Sequence, residues 1–253
     1  MTALVASQRP VYHLYRFAWA GLDWLYPPHC GGCGKAGQRW CSDCQQNVQL
    51  LPANVCPRCG NAVISAGICE LCRANPPVYE ALRSWAIFGG PLRNALHRLK
   101  YKRDIALGEI LARHLISLYL SLKWEVDLVV STPIGVARRA ERGYNQATLL
   151  ALPLALAIGK PLRFNALRKI RETRSQVGLS LAERRSNVHQ AFQADAEVVR
   201  SKSVLIIDDV ATSGATLQAC ATALLESGAR RVFGLTLARA ALDPVRASES
   251  LSS

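Results

Sequence analysis

The sequence predicts an α/β fold, a parallel sheet flanked by helices with a small metal-binding module ahead of it, and three observations carry that prediction. Val204-Leu205-Ile206-Ile207 is a β-branched and aliphatic run that ends abruptly in Asp208-Asp209, as a strand buried on both faces does when its carboxyl end meets a site. Eight cysteines fall between positions 30 and 72 in four Cys-x-x-Cys pairs. At 253 residues, half of them hydrophobic, the chain can bury the core of one full α/β domain beside a small module.

The segment after Asp209 is what makes the strand a candidate site. Ala211, Thr212, Ser213, Gly214, Ala215 and Thr216 offer hydroxyls, a glycine and unhindered N–H groups, and Thr216 to Ser227 reads as a helix with Gly228 as its C-terminal cap. Successive N–H groups and the positive end of a helix dipole then converge on one point, where a phosphate can sit. Asp208 and Asp209 cannot be phosphate ligands. They suit sugar hydroxyls, whose hydrogen bonds they can accept, or a hard cation such as Mg²⁺. No Gly-Lys-Ser/Thr follows Gly214, so the stretch is not a Walker A loop.

From the N-terminus, Val11 to Tyr26 has apolar residues at helical spacing, among them Leu14, Ala18, Leu22 and Leu25, and stops at Pro27-Pro28. Trp19, Trp24 and Tyr26 would suit a membrane surface, but packing on the following module is the use we expect. Then come Cys30 and Cys33, Cys41 and Cys44, Cys56 and Cys59, Cys69 and Cys72. A Cys-x-x-Cys pair brings two thiolates to one ion from a tight turn, and two pairs complete a tetrahedral Zn²⁺ site with bonds of about 2.3 Å. Two structural zinc ions are therefore expected. Sequential pairing is the simplest arrangement, and the spacing leaves crossed pairing open. Gly34 and Gly60 follow Cys33 and Cys59 where such turns need a residue without Cβ. So few large apolar residues lie between Cys30 and Cys72 that metal should carry the stability of this module.

Ala74 to Pro77 reads as a linker, Tyr79 to Phe88 as a strand and Gly89-Gly90-Pro91 as a break. The next helix has Leu92, Leu96 and Leu99 on its apolar face, with Arg93, Arg98 and Lys100 elsewhere. Lys100, Tyr101, Lys102 and Arg103 set an aromatic among bases, a combination that suits single-stranded nucleic acid through backbone charge and base stacking. Ile105 to Leu122 is a second helix and Asp127 to Val130 a buried strand. The stretch Arg138 to Gln146 reads as a loop placing Arg138, Arg139 and Arg142 at that strand's carboxyl side, where open parallel sheets bind ligands. Leu149 to Ala157 is helical and Lys160 to Ile170 extended. Arg171 to Gln176 reads as a mobile loop, Ser180-Leu181-Ala182-Glu183 as a capping box and Arg231 to Leu237 as a last strand, with a disordered tail beyond Asp243. Cys220 is expected to be a small core residue.

The formal charge of +13 is concentrated rather than spread: residues 91 to 185 hold 18 Lys and Arg against 7 Asp and Glu. Such a concentration attracts phosphates, of a small polyphosphate or of a nucleic acid, and one pyrophosphate does not need so many. The apolar run Phe17 to Tyr26 is broken by Asp23 and is shorter than the roughly 20 residues that span a bilayer, so no stable membrane insertion is expected. With no export signal recognisable, disulfides are disfavoured and the cytoplasm is the expected compartment.

Val204 to Thr216 resembles the phosphoribosyl pyrophosphate (PRPP) motif of type I phosphoribosyltransferases. The resemblance implies that Asp208 and Asp209 hold the ribose hydroxyls as the catalytic pair, that Ala211 to Thr216 bind the 5′-phosphate, that Mg²⁺ accompanies PRPP, and that Arg138 and Arg139 belong to the pyrophosphate loop. Purine-salvage members carry an acidic residue where this chain has Thr212, which counts against nucleobase salvage. Tyr26-Pro27-Pro28-His29-Cys30-Gly31-Gly32-Cys33, Arg98-Leu99-Lys100-Tyr101-Lys102, Arg142-Gly143-Tyr144-Asn145-Gln146, Thr173 to Gln176 and Arg184 to Val188 widen the match. Together they resemble the ComF family, from about Leu25 to Arg239. That resemblance implies an N-terminal helix (1–26), a double zinc ribbon (27–75), a phosphoribosyltransferase-like domain (76–240) and a disordered tail (241–253). It also implies a part in handling incoming single-stranded DNA with competence or DNA-processing proteins, in the cytoplasm or, by way of an uptake complex, beside the inner membrane. Two readings remain open at this level: an enzyme transferring ribose 5-phosphate, and an adaptor that senses PRPP without turnover.

Overall fold

In the computed structural model, which describes residues 9–171 and 190–240, strands drawn from residues 81–239 build one parallel sheet. Four strands, β1 (Ala81–Ile87), β2 (Leu128–Ser131), β5 (Ser203–Ala211) and β6 (Arg231–Arg239), lie in the order β1-β6-β5-β2. All three pairings are parallel, with Ile206 beside both Val130 and Gly234. Alternation splits the strand side chains between two cores. Leu205, Ile207, Val129, Leu235 and Leu237 pack under α4 (Gly90–Tyr101), α5 (Leu107–Ser121) and α7 (Gln146–Ile158). Val204, Ile206, Val130 and Val232 pack under α9 (Ala215–Glu226) and the small hairpin of β3 (Leu167–Lys169) and β4 (Phe192–Ala194). A short helix α8 (Ala196–Val199) leads from that hairpin into β5. Cys220 is fully buried in the second core, as expected.

Both sheet edges are covered. On the β2 side Val129 receives Arg163 N–H and donates to Pro161 O, each at 2.9 Å. On the β1 side the cysteine module supplies the partners: Leu82 N–H donates to Arg58 O and Ile87 N–H to Gln49 O, both at 2.8 Å. An edge strand left open would be a template for aggregation, and the module closes that edge. Gly60, with φ +73°, makes this contact feasible: a Cβ there would lie 2.5 Å from Leu82 O.

The module carries two short helices, α2 (Ser42–Gln46) and α3 (Glu70–Ala74), and each half opens with a one-bridge hairpin, His29 with Ala36 and Val55 with Ala62. Helix α1 (Pro10–Leu25) docks on both parts of the molecule. Tyr12 enters the core shared with α5 and α7 and Arg16 pairs with buried Glu109, while Asp23 pairs with Arg39 of the first half-module. Its Leu14, Phe17 and Trp24 stay exposed.

Three sequence expectations change. Strand β5 does not stop at Ile207, because its ladder with β6 continues to Ala211 opposite Arg239; Asp208, Asp209 and Ala211 are strand residues, and α9 begins one residue earlier than expected, at Ala215. The arginine-rich stretch is not an irregular loop but α6 (Val136–Arg142), ended by Gly143 at φ +82°. It buries none of its residues, so it carries no apolar period by which a sequence could announce it. Only Leu167–Lys169 of the expected extended segment Lys160 to Ile170 is strand. The expected mobile loop after Arg171, the capping box at Ser180 and the tail beyond Asp243 lie outside the described residues.

Candidate functional site

The carboxyl ends of β2 and β5 carry the site. Asp209 is buried, and three elements meet on it. Gln146 Nε2, from the first residue of α7, donates to its Oδ1 at 3.3 Å, and Lys100 Nζ, from the last turn of α4, forms an ion pair with its Oδ2. The Asp209 N–H donates to Asp208 Oδ1 at 2.9 Å, holding the neighbouring carboxylate at the strand end. Beyond Ala211 only Thr212, Ser213 and Gly214 separate strand from helix. Gly214 turns the chain with φ +78°, a conformation that costs little only without Cβ, and Ser213 Oγ accepts from Ala215 N–H at 3.3 Å. The first turn of the 12-residue α9 thus faces the same end of the sheet as the two aspartates. From β2, Thr132 extends the ladder by donating to Ile207 O, and Asn145 Nδ2 donates to Thr132 O, which ties the start of α7 to the β2 terminus.

These contacts divide the two carboxylates. Burial opposes charge on Asp209, but the Lys100 ammonium outweighs it and holds Asp209 below the ordinary carboxylate range. Burial and the neighbouring Asp209 charge raise Asp208 well above that range. Burial likewise works against the Lys100 charge, and Asp209 more than restores it. The pair is one ionised and one reluctant carboxylate beside a single ammonium, which suits hydroxyl donors and cations.

Lys100 is the residue whose place differs most from expectation. Its sequence surroundings suggest a nucleic-acid contact shared with Tyr101, Lys102 and Arg103; the structure commits it to Asp209 and leaves the other three exposed at the end of α4. A signal existed: Leu92, Leu96 and Lys100 recur at i, i+4 and i+8, so the lysine ends the helix's apolar stripe. Gln146 had no comparable signal. The Arg142 guanidinium lies 5.0 Å from the Tyr101 ring centroid and Tyr144 Oη donates to Leu99 O, so the α6–α7 connection braces the end of α4. Arg138 and Arg139 stand on α6 at the β2 side, half-buried and exposed respectively, and neither makes an ion pair with either aspartate.

The cysteines form a second kind of site. Cys30, Cys33, Cys41 and Cys44 gather in one cluster and Cys56, Cys59, Cys69 and Cys72 in another, with sulfur atoms in each within 4.8 Å of one another. Pairing is therefore sequential. Tetrahedral Zn–S bonds of about 2.3 Å require S···S separations of about 3.8 Å. Cys33 and Cys41 are 3.8 Å apart and Cys59 and Cys69 3.6 Å, so both clusters fit a structural zinc ion. Burial opposes ionisation of Cys30, but N–H groups of Cys33, Cys41 and Gly32 outweigh it and bring the thiol down to about 6; Cys56 is brought to about 6 in the same way. The equivalent environments show a duplicated unit.

Residues 21–73 match the double zinc ribbon domain, and residues 108–246 match the phosphoribosyl transferase domain. The DNA utilization protein YhgH of Salmonella typhimurium is 32% identical over 76% of this chain and 86% of its own length. Competence protein F of Haemophilus influenzae is 28% identical over 84% of this chain and 96% of its own, and competence protein ComFC of Bacillus subtilis 26% identical over 81% and 86%. With the two cysteine clusters joined to the strand, loop and helix that carry Asp208 and Asp209, the chain belongs to the ComF family of double-zinc-ribbon phosphoribosyltransferase-like proteins.

Proposed function

We propose that the protein binds Mg²⁺-PRPP at the carboxyl end of β5 and takes part in the uptake or use of single-stranded DNA. The observation that carries the first part is the junction itself: two carboxylates of unequal acidity, a three-residue turn through Gly214 and the N-terminus of α9. Asp208 and Asp209 would accept hydrogen bonds from the ribose hydroxyls, and Ala211 to Thr216 would hold the 5′-phosphate. Mg²⁺ would supply charge neutralisation on the pyrophosphate when bound, and Arg138 and Arg139 would assist from the β2 side. The names of the relatives, DNA utilization protein and competence protein, support the second part. Among the described residues no helix is long and apolar enough to cross a membrane.

The chemistry in view is transfer of ribose 5-phosphate to an acceptor. Thr212 favours a second reading, a PRPP-sensing adaptor without turnover, because no carboxylate of the loop stands ready to move a proton. Calorimetric titration with PRPP and Mg²⁺, followed by pyrophosphate release with and without single-stranded DNA, decides between them. Binding with DNA-dependent release supports the enzyme, binding alone supports the adaptor, and no binding overturns both.

Affinity for PRPP should fall as pH drops from neutral, because the raised Asp208 takes up its proton earlier than an ordinary aspartate. Lys100→Met removes the cation that lowers both carboxylates, so the decline should begin at higher pH. A binding curve flat through the mildly acidic range would remove Asp208 from the site. For DNA, Lys102→Ala with Arg103→Ala should make the log–log salt dependence about 1.4 shallower, two phosphate contacts at about 0.7 each for a single strand. An unchanged slope would move the DNA surface away from the end of α4.

A further inference from the structure

Arg142, the last residue of α6, joins the two surfaces that the proposed function uses. Its Nη1 donates to Gln146 Oε1 at 2.9 Å, and Gln146 Nε2 donates to Asp209 Oδ1 at 3.3 Å. Asp209 Oδ2 pairs with Lys100, Tyr101 follows Lys100 in the chain, and the Tyr101 ring centroid lies 5.0 Å from the Arg142 guanidinium. The five side chains therefore close a ring. Its inner members are sealed, Gln146 at 6% exposure and Asp209 at 3%, while Tyr101 is 54% exposed at the outer end. Hydrogen-bonding type fixes the direction of the middle link. A guanidinium can only donate and an ionised carboxylate can only accept, so a glutamine between them satisfies both in one orientation alone. Turned over, its amide would make two repulsive contacts in place of two hydrogen bonds. Asn145 Oδ1 accepts from Ala147 N–H at 3.0 Å and caps α7, so the backbone of Gln146 is set and the turn of its amide is the freedom that Arg142 removes. Arg142 itself is lightly held: among the described residues its Nε has no hydrogen-bond partner and no carboxylate pairs with it. A base stacking on Tyr101 would compete with that guanidinium for the ring, since His97 already packs against it with centroids 4.9 Å apart.

We propose that Arg142 is a positioning residue for Asp209, acting through Gln146, and that a DNA base stacked on Tyr101 weakens PRPP binding by drawing Arg142 out of this ring. The second part rests on the proposed function; the first does not. The first is tested by NMR on the full, zinc-loaded chain, isotope-labelled at its glutamine side chains. One Nε2 proton of Gln146 should resonate downfield of free glutamine amides and exchange slowly, the signal being assigned by its disappearance in Gln146→Met. Arg142→Met should return it to free-amide values, and Arg142→Lys, which keeps a donor, should hold it in place. An unmoved Gln146 signal in Arg142→Met would overturn the relay. Calorimetry with Mg²⁺-PRPP tests the second part. Arg142→Met should weaken PRPP about tenfold, as misplacing a hydrogen bond to a charged group does. It should weaken it no further in a Gln146→Met background, because members of one relay are not additive, whereas the field of a removed charge would be. Saturating oligodeoxythymidine should weaken PRPP about fivefold in the unaltered protein and not at all in Arg142→Met, and PRPP should weaken oligodeoxythymidine by the same factor. PRPP binding as tight with DNA as without it would overturn the link, and an additive double variant would overturn the relay. If PRPP failed to bind the unaltered protein, the proposed function and the DNA link would fall together, while the Gln146 signal would still decide the relay by itself.

Discussion

Removing zinc with a chelator is expected to unfold the segment from Cys30 to Cys72 and, with it, to expose the edge of the sheet. The two ribbon cores consist of the cysteines themselves with Trp40 packed on one and Val63 on the other, too little apolar surface to order some 40 residues. Structural zinc contributes about 10–16 kcal/mol in small zinc modules, so its loss exceeds any compensation available here. The consequence reaches further than the module, because Arg58 O and Gln49 O are the acceptors for Leu82 and Ile87 of β1. Metal-free protein should lose protection of those two amides in hydrogen exchange and aggregate through β1, while the core around Leu205, Leu150 and Leu111 unfolds at a separate, later transition. Cys56→Ser should reproduce the β1 effect more strongly than Cys30→Ser, since the first ribbon instead packs Gly31 and Gly32 against Leu107 and Pro91 of the helical layer. A metal-free protein with unchanged protease resistance across residues 30–72 would show that the ribbons fold on other interactions.

Asp208→Asn combined with Asp209→Asn should abolish measurable PRPP binding, a loss of about 3–6 kcal/mol if each carboxylate contributes about 1.5–3 through hydrogen bonds to the sugar. The single variants should differ in stability. Asp209→Asn leaves the Lys100 ammonium in place without its counter-charge, and breaking such a buried pair costs about 3–5 kcal/mol. Asp208→Asn removes a carboxylate that the fold already disfavours, and stability should hold or rise slightly. Adding Lys100→Met to Asp209→Asn should recover much of the lost stability, which thermal unfolding reads directly. Since Asp209 is depressed and Lys100 raised, the pair stabilises the fold through the whole range between them: its contribution is lost as pH falls through the Asp209 value or rises through that of Lys100. Equal stability of the two single variants would contradict the ion-pair assignment. Retained PRPP affinity in the double variant would defeat the carboxylate site itself.

Much of this was legible before any coordinates. The run Val204 to Ile207 announces a buried strand because both of its faces are covered, and Gly214 announces a tight turn because few other residues adopt its conformation. Helix α6 stayed hidden because every one of its side chains is at least partly exposed, and a helix with no buried face leaves no period.

The sequence by itself determined the chemistry of each segment: four Cys-x-x-Cys turns able to hold metal, two carboxylates at a strand end, a small-residue loop before a helix, and a basic middle third. Those properties are set by neighbours within a few positions, where backbone preference and side-chain type act directly. Tertiary structure alone decided which cysteine pairs share a cluster, that the ribbons complete the edge of β1, and that Lys100 neutralises Asp209. Each of these joins residues far apart in the chain, and chain folding, rather than local spacing, brings their charges and hydrogen-bonding groups within reach.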